Sequence, residues 1–374
     1  MNKKNECDIT KIEQKERKRK MAETGKRFQE KKKKKKTGKV LKVILITLLV
    51  IILMIAGLIA GGYAYIHGKL SKINTVDIDK DNIEINEGVE SQLKGYRNIA
   101  LFGIDSRSDD YGVGNRSDCI IIASINEKTK DVKLTSVYRD SYLEITGRNL
   151  DKVTHAYSYG GPELAMSTLN TNLDLDITEF VAVNFDAVAE AVNALGGISI
   201  SIDSSELKYI NDYIDATSSI TGISSKHVTT TGKQTLDGVQ AVAYARIRYT
   251  SGGDYKRAER MRTVLEAMIN KAKTKNIGEL NELANRILPI ISTNISTGDI
   301  LGLIPSALSF NISNSIGWPY NVKGITLDRW YGVPVTLEES VARLHKEIFG
   351  QENYEPSDNV KRISDKIIKK TGYK

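Results

Sequence analysis

Asn98-Ile-Ala-Leu-Phe-Gly-Ile-Asp105 is a short apolar run that ends on a carboxylate, and two more apolar runs follow downstream. Cys119 to Ile125 is a second such run, and Val132 to Val137 is a third, followed by Tyr138-Arg139-Asp140. Apolar runs of this length, bounded by polar residues, predict buried strands with functional groups at their tips. Between and beyond them the pattern changes. Gly160-Gly161-Pro162-Glu163 opens an amphipathic helix with Leu164 and Leu169 inward, since Pro suits a first turn. Phe180 to Asn184 reads as a strand, and Asp186 as the cap of a helix through Leu195 that Gly196-Gly197 closes. Ile198 to Ile202 is the next strand. A turn-rich stretch, Gly232 to Gly238, leads to a strand from Ala241 to Tyr249, and a helix runs from Asp254 to about Lys273. Further on, a strand lies near Tyr320 to Asp328 and a helix spans Leu337 to Phe349. Strands alternating with helices predict an α/β domain with a central mixed β-sheet flanked by helices.

The composition is that of a globular protein: 374 residues, 40% hydrophobic and 27% charged. Six Pro argue against a Pro-rich spacer, and two Cys make neither a disulfide framework nor a zinc set. The net charge of +8 suggests nucleic acid until it is divided along the chain. Residues 1–42 carry 18 Lys+Arg and 6 Asp+Glu, a net of +12, which leaves −4 for the rest. Blocks of like charge such as Lys31 to Lys36 repel and do not fold.

Directly after this tail, 43–66 (VILITLLVIILMIAGLIAGGYAYI) holds 24 residues without a charge. As a helix that run is about 36 Å long, enough to cross a hydrocarbon core of roughly 30 Å. Ala56-Gly57 and Ala60-Gly61-Gly62 would allow cleavage as a signal peptide, but the length of the run favours an uncleaved anchor. Ten Lys+Arg in residues 23–42 face three in 67–86. The positive-inside rule therefore predicts a single-pass protein of the cell membrane, its N-terminus cytoplasmic and its main domain extracellular. The tail binds the inner leaflet and no nucleic acid partner is expected. The expected divisions are a basic tail 1–42, a transmembrane helix 43–66, a polar juxtamembrane linker 67–95, an extracellular domain 96–350 and a polar, frayed tail 351–374. Cys7 and Cys119 then lie on opposite sides of the membrane and cannot pair.

Three constellations carry chemistry. Gly103-Ile104-Asp105-Ser106-Arg107 and Asn115-Arg116-Ser117-Asp118 each place an Asp beside an apolar strand. Two carboxylates without His or Cys suit a hard cation, Mg²⁺ or Mn²⁺, that keeps waters and takes phosphate oxygens; as loop residues they equally suit turns and caps. In Tyr244-Ala245-Arg246-Ile247-Arg248 the two-residue period of a strand puts both Arg on one face. Two adjacent guanidiniums accommodate an anion between them, in particular a phosphate, or stand as two solvated charges. Asp254, Arg257 and Arg260 are spaced by three on one helical stripe, with Asp254 at the N-cap. The segment 244–262 holds six basic and two acidic residues within an acidic portion of chain. A local positive patch of that kind points to an anionic ligand. His67, His155, His227 and His345 form no metal or triad motif, and no P-loop occurs.

Taken in order, Gly103-x-Asp105-x-Arg107, Arg116-Ser117-Asp118, Ser136-x-x-Arg139-Asp140, Lys152, Gly160-Gly161, Gly196-Gly197, Gly232-x-Gln234-x-Leu236-x-Gly238, Gln240-Ala241, Tyr244-x-Arg246-x-Arg248 and Asp254-x-x-Arg257-x-x-Arg260 resemble the LytR–CpsA–Psr family. The resemblance spans about residues 96–275, and the order of tail, anchor and external domain is also the family's. It implies a metal-dependent phosphotransferase. Such an enzyme moves a glycan phosphate, of teichoic acid or capsule type, from a polyprenyl pyrophosphate carrier to a sugar hydroxyl of peptidoglycan. It further implies that Asp105 and Asp118 hold the metal and that Arg116, Arg139, Arg246, Arg248, Arg257 and Arg260 bind the pyrophosphate with help from Lys152; Asp140 is a candidate general base on chemical grounds. Helices on one side of the sheet would enclose an apolar tunnel for the lipid tail. Two positions depart from the family pattern: Tyr138 stands where Pro is usual, and Met261 where Gln is usual. Two rivals keep the same site, a lipid-pyrophosphate phosphatase and a non-catalytic membrane regulator that senses polyprenyl-linked intermediates. The tail lacks a helix-turn-helix pattern, which counts against direct DNA regulation.

Overall fold

A computed structural model describes residues 74–106, 111–296, 299 and 311–374. The expected tail 1–42, the anchor 43–66 and the first residues of the linker lie outside the described residues. Among the described residues no helix is long and apolar enough to cross a membrane. In chain order the strands are β1 (Asn74–Thr75), β2 (Tyr96–Ile104), β3 (Ser117–Asn126), β4 (Asp131–Val137), β5 (Tyr142–Glu144), β6 (Leu150–Lys152), β7 (Glu179–Asn184), β8 (Ile198–Ile202), β9 (Gly232–Leu236), β10 (Ile291–Thr293), β11 (Asn311–Trp318), β12 (Val322–Thr326) and β13 (Trp330–Pro334). The helices are α1 (Val89–Gln92), α2 (Thr154–Leu173), α3 (Phe185–Ala194), α4 (Ser204–Thr221), α5 (Gly238–Arg246), α6 (Gly253–Ala272), α7 (Ile277–Ile287), α8 (Leu337–Phe349) and α9 (Asp358–Thr371).

Seven strands form one mixed sheet in the order β1-β10-β7-β2-β3-β4-β11. β2 pairs antiparallel with β3 and parallel with β7, and β4 pairs antiparallel with β3 and parallel with β11. The apolar runs are continuous because both faces of the sheet are covered. Along β2, Ile99 and Leu101 pack into one core with residues of α3 to α7. Ala100, Phe102 and Ile104 enter the other, with α1, α2, α8 and α9. The parallel strands β2, β4 and β7 therefore end at one edge, and β3 begins there. Loops at the carboxyl ends of such strands gather ligand-binding groups.

The expected mixed α/β sheet and the expected strands at 98–104, 119–125 and 132–137 are present, as is the helix at 337–349. Four local expectations are corrected. The expected strand Ala241–Tyr249 is mostly helix α5. Asp237 and Gln240 form a capping box, each side chain accepting the other's backbone N–H at 2.9 Å, and an Ala-rich run propagates from it. Gly238 allows that start, since a Cβ there would lie 2.0 Å from the Ala189 carbonyl oxygen. Next, Gly160-Gly161 does not start a helix but breaks α2 into two segments, with Gly161 at φ +65°, and Pro162 opens the second. Caps shift too: Asn184, not Asp186, accepts the Ala187 N–H at 2.8 Å, and Gly252 rather than Asp254 is the N-cap of α6.

Both flanks of the domain are also more ordered than their polarity suggests. From residue 74 the expected linker packs on the domain, burying Ile83, Val89 and Leu93. The expected frayed tail holds α9, whose Val360, Ile363 and Ile367 are buried. Each such side chain contributes roughly 1.5–3 kcal/mol on leaving water, enough to order a helix that is polar on its other face.

Candidate active site

The carboxylate of Asp118, at the start of β3, sits among three guanidiniums. Arg139, just past β4, donates through Nη1 to Oδ1, and Arg257 of α6 donates through Nη2 to Oδ2 at 2.8 Å. Arg248 Nη2 stands 3.7 Å from the same oxygen. Arg257 is only 4% exposed, so this pairing takes place out of water. Burial opposes the charge on Asp118, yet Arg257 and Arg139 outweigh it and hold the carboxyl below the usual carboxylate range.

A second acidic pair adjoins the first. Lys152 Nζ lies 2.6 Å from Asp140 Oδ1, and Arg139 Nε is 3.8 Å from that oxygen. Asp140 also neighbours Asp254, and the two carboxyls act on one another's charge. Burial and the neighbouring Asp140 push Asp254 up, against the pull of Arg248 and Arg257. Asp140 stays ionised: burial works against its charge, but Lys152, Asp254 and Arg139 overcome it. Asp254 in turn accepts charge contacts from Arg248 Nε at 3.2 Å and Arg257 Nη1 at 3.7 Å.

Buried donors remain open at this centre. Arg257 Nε and Nη1, Arg139 Nε and Ser136 Oγ have no hydrogen-bond partner among the described residues. They line a small cavity with Asp118, Asp254 and Met261. Buried guanidinium N–H groups without a hydrogen bond are costly, so these donors suit an anion.

Beside it opens an apolar cleft between the sheet and helices α3, α5 and α6. Leu101, Ile121, Val188, Val264 and Met268 are among its walls. Cys119 and Met261 line both spaces, so the apolar cleft begins where the charged cavity ends. Met261 thus presents a thioether to the cleft at the position where the family pattern has Gln. The Cys119 thiol is pushed up to about 12 by burial and is inert as a nucleophile.

The structure brings Asp118, Arg139, Asp140, Lys152, Arg248 and Arg257 together. Arg246, at the end of α5, donates to Thr217 Oγ1 at 2.9 Å and stacks over the Phe185 ring at 4.9 Å, with Asp105 acting on its charge. Arg246 and Arg248 share no strand face, because Arg246 ends a helix and Arg248 follows it in the loop. Asp105 and Arg116 are exposed across the β2–β3 pairing, where the Asp105 N–H donates to the Arg116 carbonyl at 3.1 Å. Arg260 does not belong to the anion site. It is 1% exposed, and its guanidinium is used up by Glu206 at 2.8 Å, the Ile247 carbonyl at 3.1 Å and Thr250 at 2.7 Å. Sequence reasoning did not find the Asp140–Asp254 pairing or the Thr217 and Phe185 supports of Arg246; no motif announces them.

The LytR_cpsA_psr family model matches residues 62–334. The polyisoprenyl-teichoic acid–peptidoglycan teichoic acid transferase TagU of Enterococcus faecalis is 35% identical over 233 residues, 59% of this chain and 70% of its own. TagT of Bacillus subtilis, of the same description, is 31% identical over 295 residues, 73% of this chain and 87% of its own. A solved structure of TagT with bound octaprenyl pyrophosphate lipid superposes with a TM-score of 0.51 at 25% identity, covering 73% of this chain and 94% of that one.

Proposed function

The chain belongs to the LytR–CpsA–Psr family, and from that premise we propose that it transfers a glycan phosphate of teichoic acid type from a polyprenyl pyrophosphate carrier to a sugar hydroxyl of peptidoglycan. The observation that carries this reading is the set of buried guanidinium N–H groups of Arg139 and Arg257 that lack a hydrogen bond, in a cavity adjoining the apolar cleft. A molecule with a pyrophosphate joined to a long hydrocarbon satisfies both halves at once. The relatives TagU and TagT carry the matching description, and the bound octaprenyl pyrophosphate of the TagT structure has this form.

The chemistry follows from placement. The prenyl chain fills the cleft and the pyrophosphate takes the open donors of Arg139, Arg248 and Arg257, with Arg246 on its flank. The acceptor oxygen forms a bond to the glycan-side phosphorus while the bond to the polyprenyl phosphate breaks. The guanidiniums stabilise the charge that collects on the departing phosphate. Asp140, kept ionised by Lys152, takes the hydroxyl proton, and the loose transition state of phosphoryl transfer asks little base strength of it. No nucleophilic side chain is required.

Asp118 and the exposed Asp105 are the carboxylates that would hold a hard divalent ion. Mg²⁺ or Mn²⁺ held there would take further oxygens from the pyrophosphate and neutralise it. In this reading the uncharged run 43–66, with its basic N-terminal flank, would be an anchor holding the domain at the outer face of the cell membrane, near a carrier in that leaflet.

The full chain, a short labelled lipid-pyrophosphate glycan, peptidoglycan oligomers and Mg²⁺ test the reading together. Label joined to the oligomer supports transfer. Free glycan phosphate alone means a phosphatase, and tight binding without turnover means a regulator.

A further inference from the structure

One exposed aromatic platform beside the acidic pair has no part in the chemistry described so far. β12 and β13 form a hairpin that lies along the residue bearing the base: Gly332 N–H donates to the Asp140 carbonyl at 2.9 Å, and Ser141 bridges to Gly332 in parallel. Trp330 opens β13 and is 41% exposed. Its indole lies across two glycines. A Cβ on Gly324 would come within 2.8 Å of Nε1, and one on Gly332 within 3.5 Å of the far edge of the ring. Glycine in a strand often marks such a close approach. Here it lets the ring lie flat, one face down and one face to solvent.

The platform is continuous with the site. The same Gly332 position is 3.4 Å from the Tyr255 hydroxyl, and Tyr255 follows Asp254 and packs edge-on against Tyr138 at 4.6 Å. The Trp330 face of the hairpin thus leads past Gly332 to Tyr255, the residue next to Asp254. The rim is polar: Arg329 pairs with Asp328 at 2.9 Å, and both are exposed. A flat ring that offers dispersion contact, edged by a carboxylate and a guanidinium, matches a pyranose, whose C–H face stacks while its hydroxyls bond to charged planar groups.

We infer that the β12–β13 hairpin, with Trp330 as its platform, is the subsite that holds the acceptor saccharide and aims its hydroxyl at the Asp140–Asp254 pair. The inference rests on the transfer reading above and deepens it, since nothing in that reading says where the acceptor lies. A lipid surface is a poorer occupant. Asp328 and Arg329 stand at the hairpin tip between Leu327 and Trp330, and immersing them would be costly.

The chain's own fluorescence gives a test that is independent of turnover. It has two Trp, and Trp318 is fully buried. Soluble, uncrosslinked peptidoglycan glycan oligomers, titrated into the full chain in detergent, should change the exposed Trp emission saturably. Trp330→Phe should abolish that change. In the transfer assay Trp330→Ala should raise the acceptor KM about tenfold and leave donor affinity unaltered, with Trp330→Phe recovering most of the loss. The subsite is wrong if the oligomers leave the emission unchanged, if Trp330→Ala keeps the wild-type acceptor KM, or if lipid vesicles but not oligomers move the emission. A wild-type chain that binds oligomers through Trp330 yet joins no label to them would retain the subsite and sink the transfer reading instead.

Discussion

Arg257 Nη2 donates to Asp118 Oδ2 at 2.8 Å, tying the first turns of α6 to the start of β3 across 139 positions of chain. The bond joins a helix on one face of the sheet to the sheet edge where the parallel strands end. It also fixes the guanidinium whose remaining N–H groups face the open cavity.

Asp118→Asn should therefore damage both the fold and the reaction. Arg257 would be left as a buried charge without its counter-ion, which typically costs about 3–5 kcal/mol. Transfer should fall by roughly 10²–10³-fold, the scale for loss of one preorganised electrostatic group. Urea unfolding and the labelled-glycan assay measure the two effects separately. A variant with full activity would remove Asp118 from the site.

The same pair predicts a pH dependence with a definite sign. Asp118 titrates below the ordinary 3.8 in the folded chain, because Arg257 and Arg139 overcome the effect of burial. A depressed carboxylate contributes stability above its unfolded pKa and loses it as pH falls through the folded value. The stability gap between wild type and Asp118→Asn should hold steady through neutral pH and begin to close only below pH 3.8. Urea midpoints across an acid series read this, and a gap that closes near neutrality would contradict the pairing.

Arg260 and Arg246 should separate cleanly, although sequence spacing treats both as phosphate ligands. Arg260→Met strands the buried Glu206 carboxylate, at a cost of about 3–5 kcal/mol and a Tm lower by on the order of 10 °C. Arg246→Ala removes a half-buried guanidinium at the site, so transfer should drop roughly 10²-fold with Tm nearly unmoved. Thermal melts beside activity settle it; an Arg260→Met protein with wild-type Tm would mean its bonds contribute nothing.

These two arginines also show how far the site was legible from sequence. Arg257 and Arg260 are three apart, but at 3.6 residues per turn that spacing rotates a side chain by roughly 60°. The rotation carries Arg257 to β3 and Arg260 to α4. The long apolar strands were legible because burial on both faces writes itself as continuous runs. The helical form of 238–246 was hidden because its signal is a two-residue exchange between Asp237 and Gln240, while its apolar residues suit a strand equally well. In α9 the apolar spacing of Val360, Ile363 and Ile367 was outweighed by the polarity around it. The Asp140–Asp254 pairing joins distant stretches of chain and leaves no local trace.

Val188 of α3 faces the apolar cleft and is half-buried, so Val188→Phe should fill empty space rather than overpack a dense core. Dense cores lose about 1–3 kcal/mol on such enlargement, whereas here the apo chain should keep or raise its Tm. Donor affinity should weaken, and more for long prenyl chains than for short ones. Titration with carriers of graded length measures this. Equal weakening at every length would mean that the hydrocarbon lies elsewhere.

Tyr138 sets a condition on the neighbouring strand β11. Its hydroxyl lies where a side chain on Gly317 would begin, 2.2 Å from the position of a Cβ, and its ring packs against Tyr255 at 4.6 Å. Gly317→Ala must therefore displace Tyr138, and Arg139 is the next residue in the chain. The expected outcome is a loss of stability of roughly 1–3 kcal/mol, as for an overpacked core, with reduced transfer as Arg139 moves off Asp118. Tyr138→Ala alone empties the space and costs stability of its own, but it removes the atoms that the new methyl would strike. In the double variant the Gly317→Ala penalty should nearly vanish, giving a coupling energy of the size expected for contacting residues, about 0.5–3 kcal/mol. Additive losses in a four-corner unfolding cycle would show that Tyr138 does not fill this space.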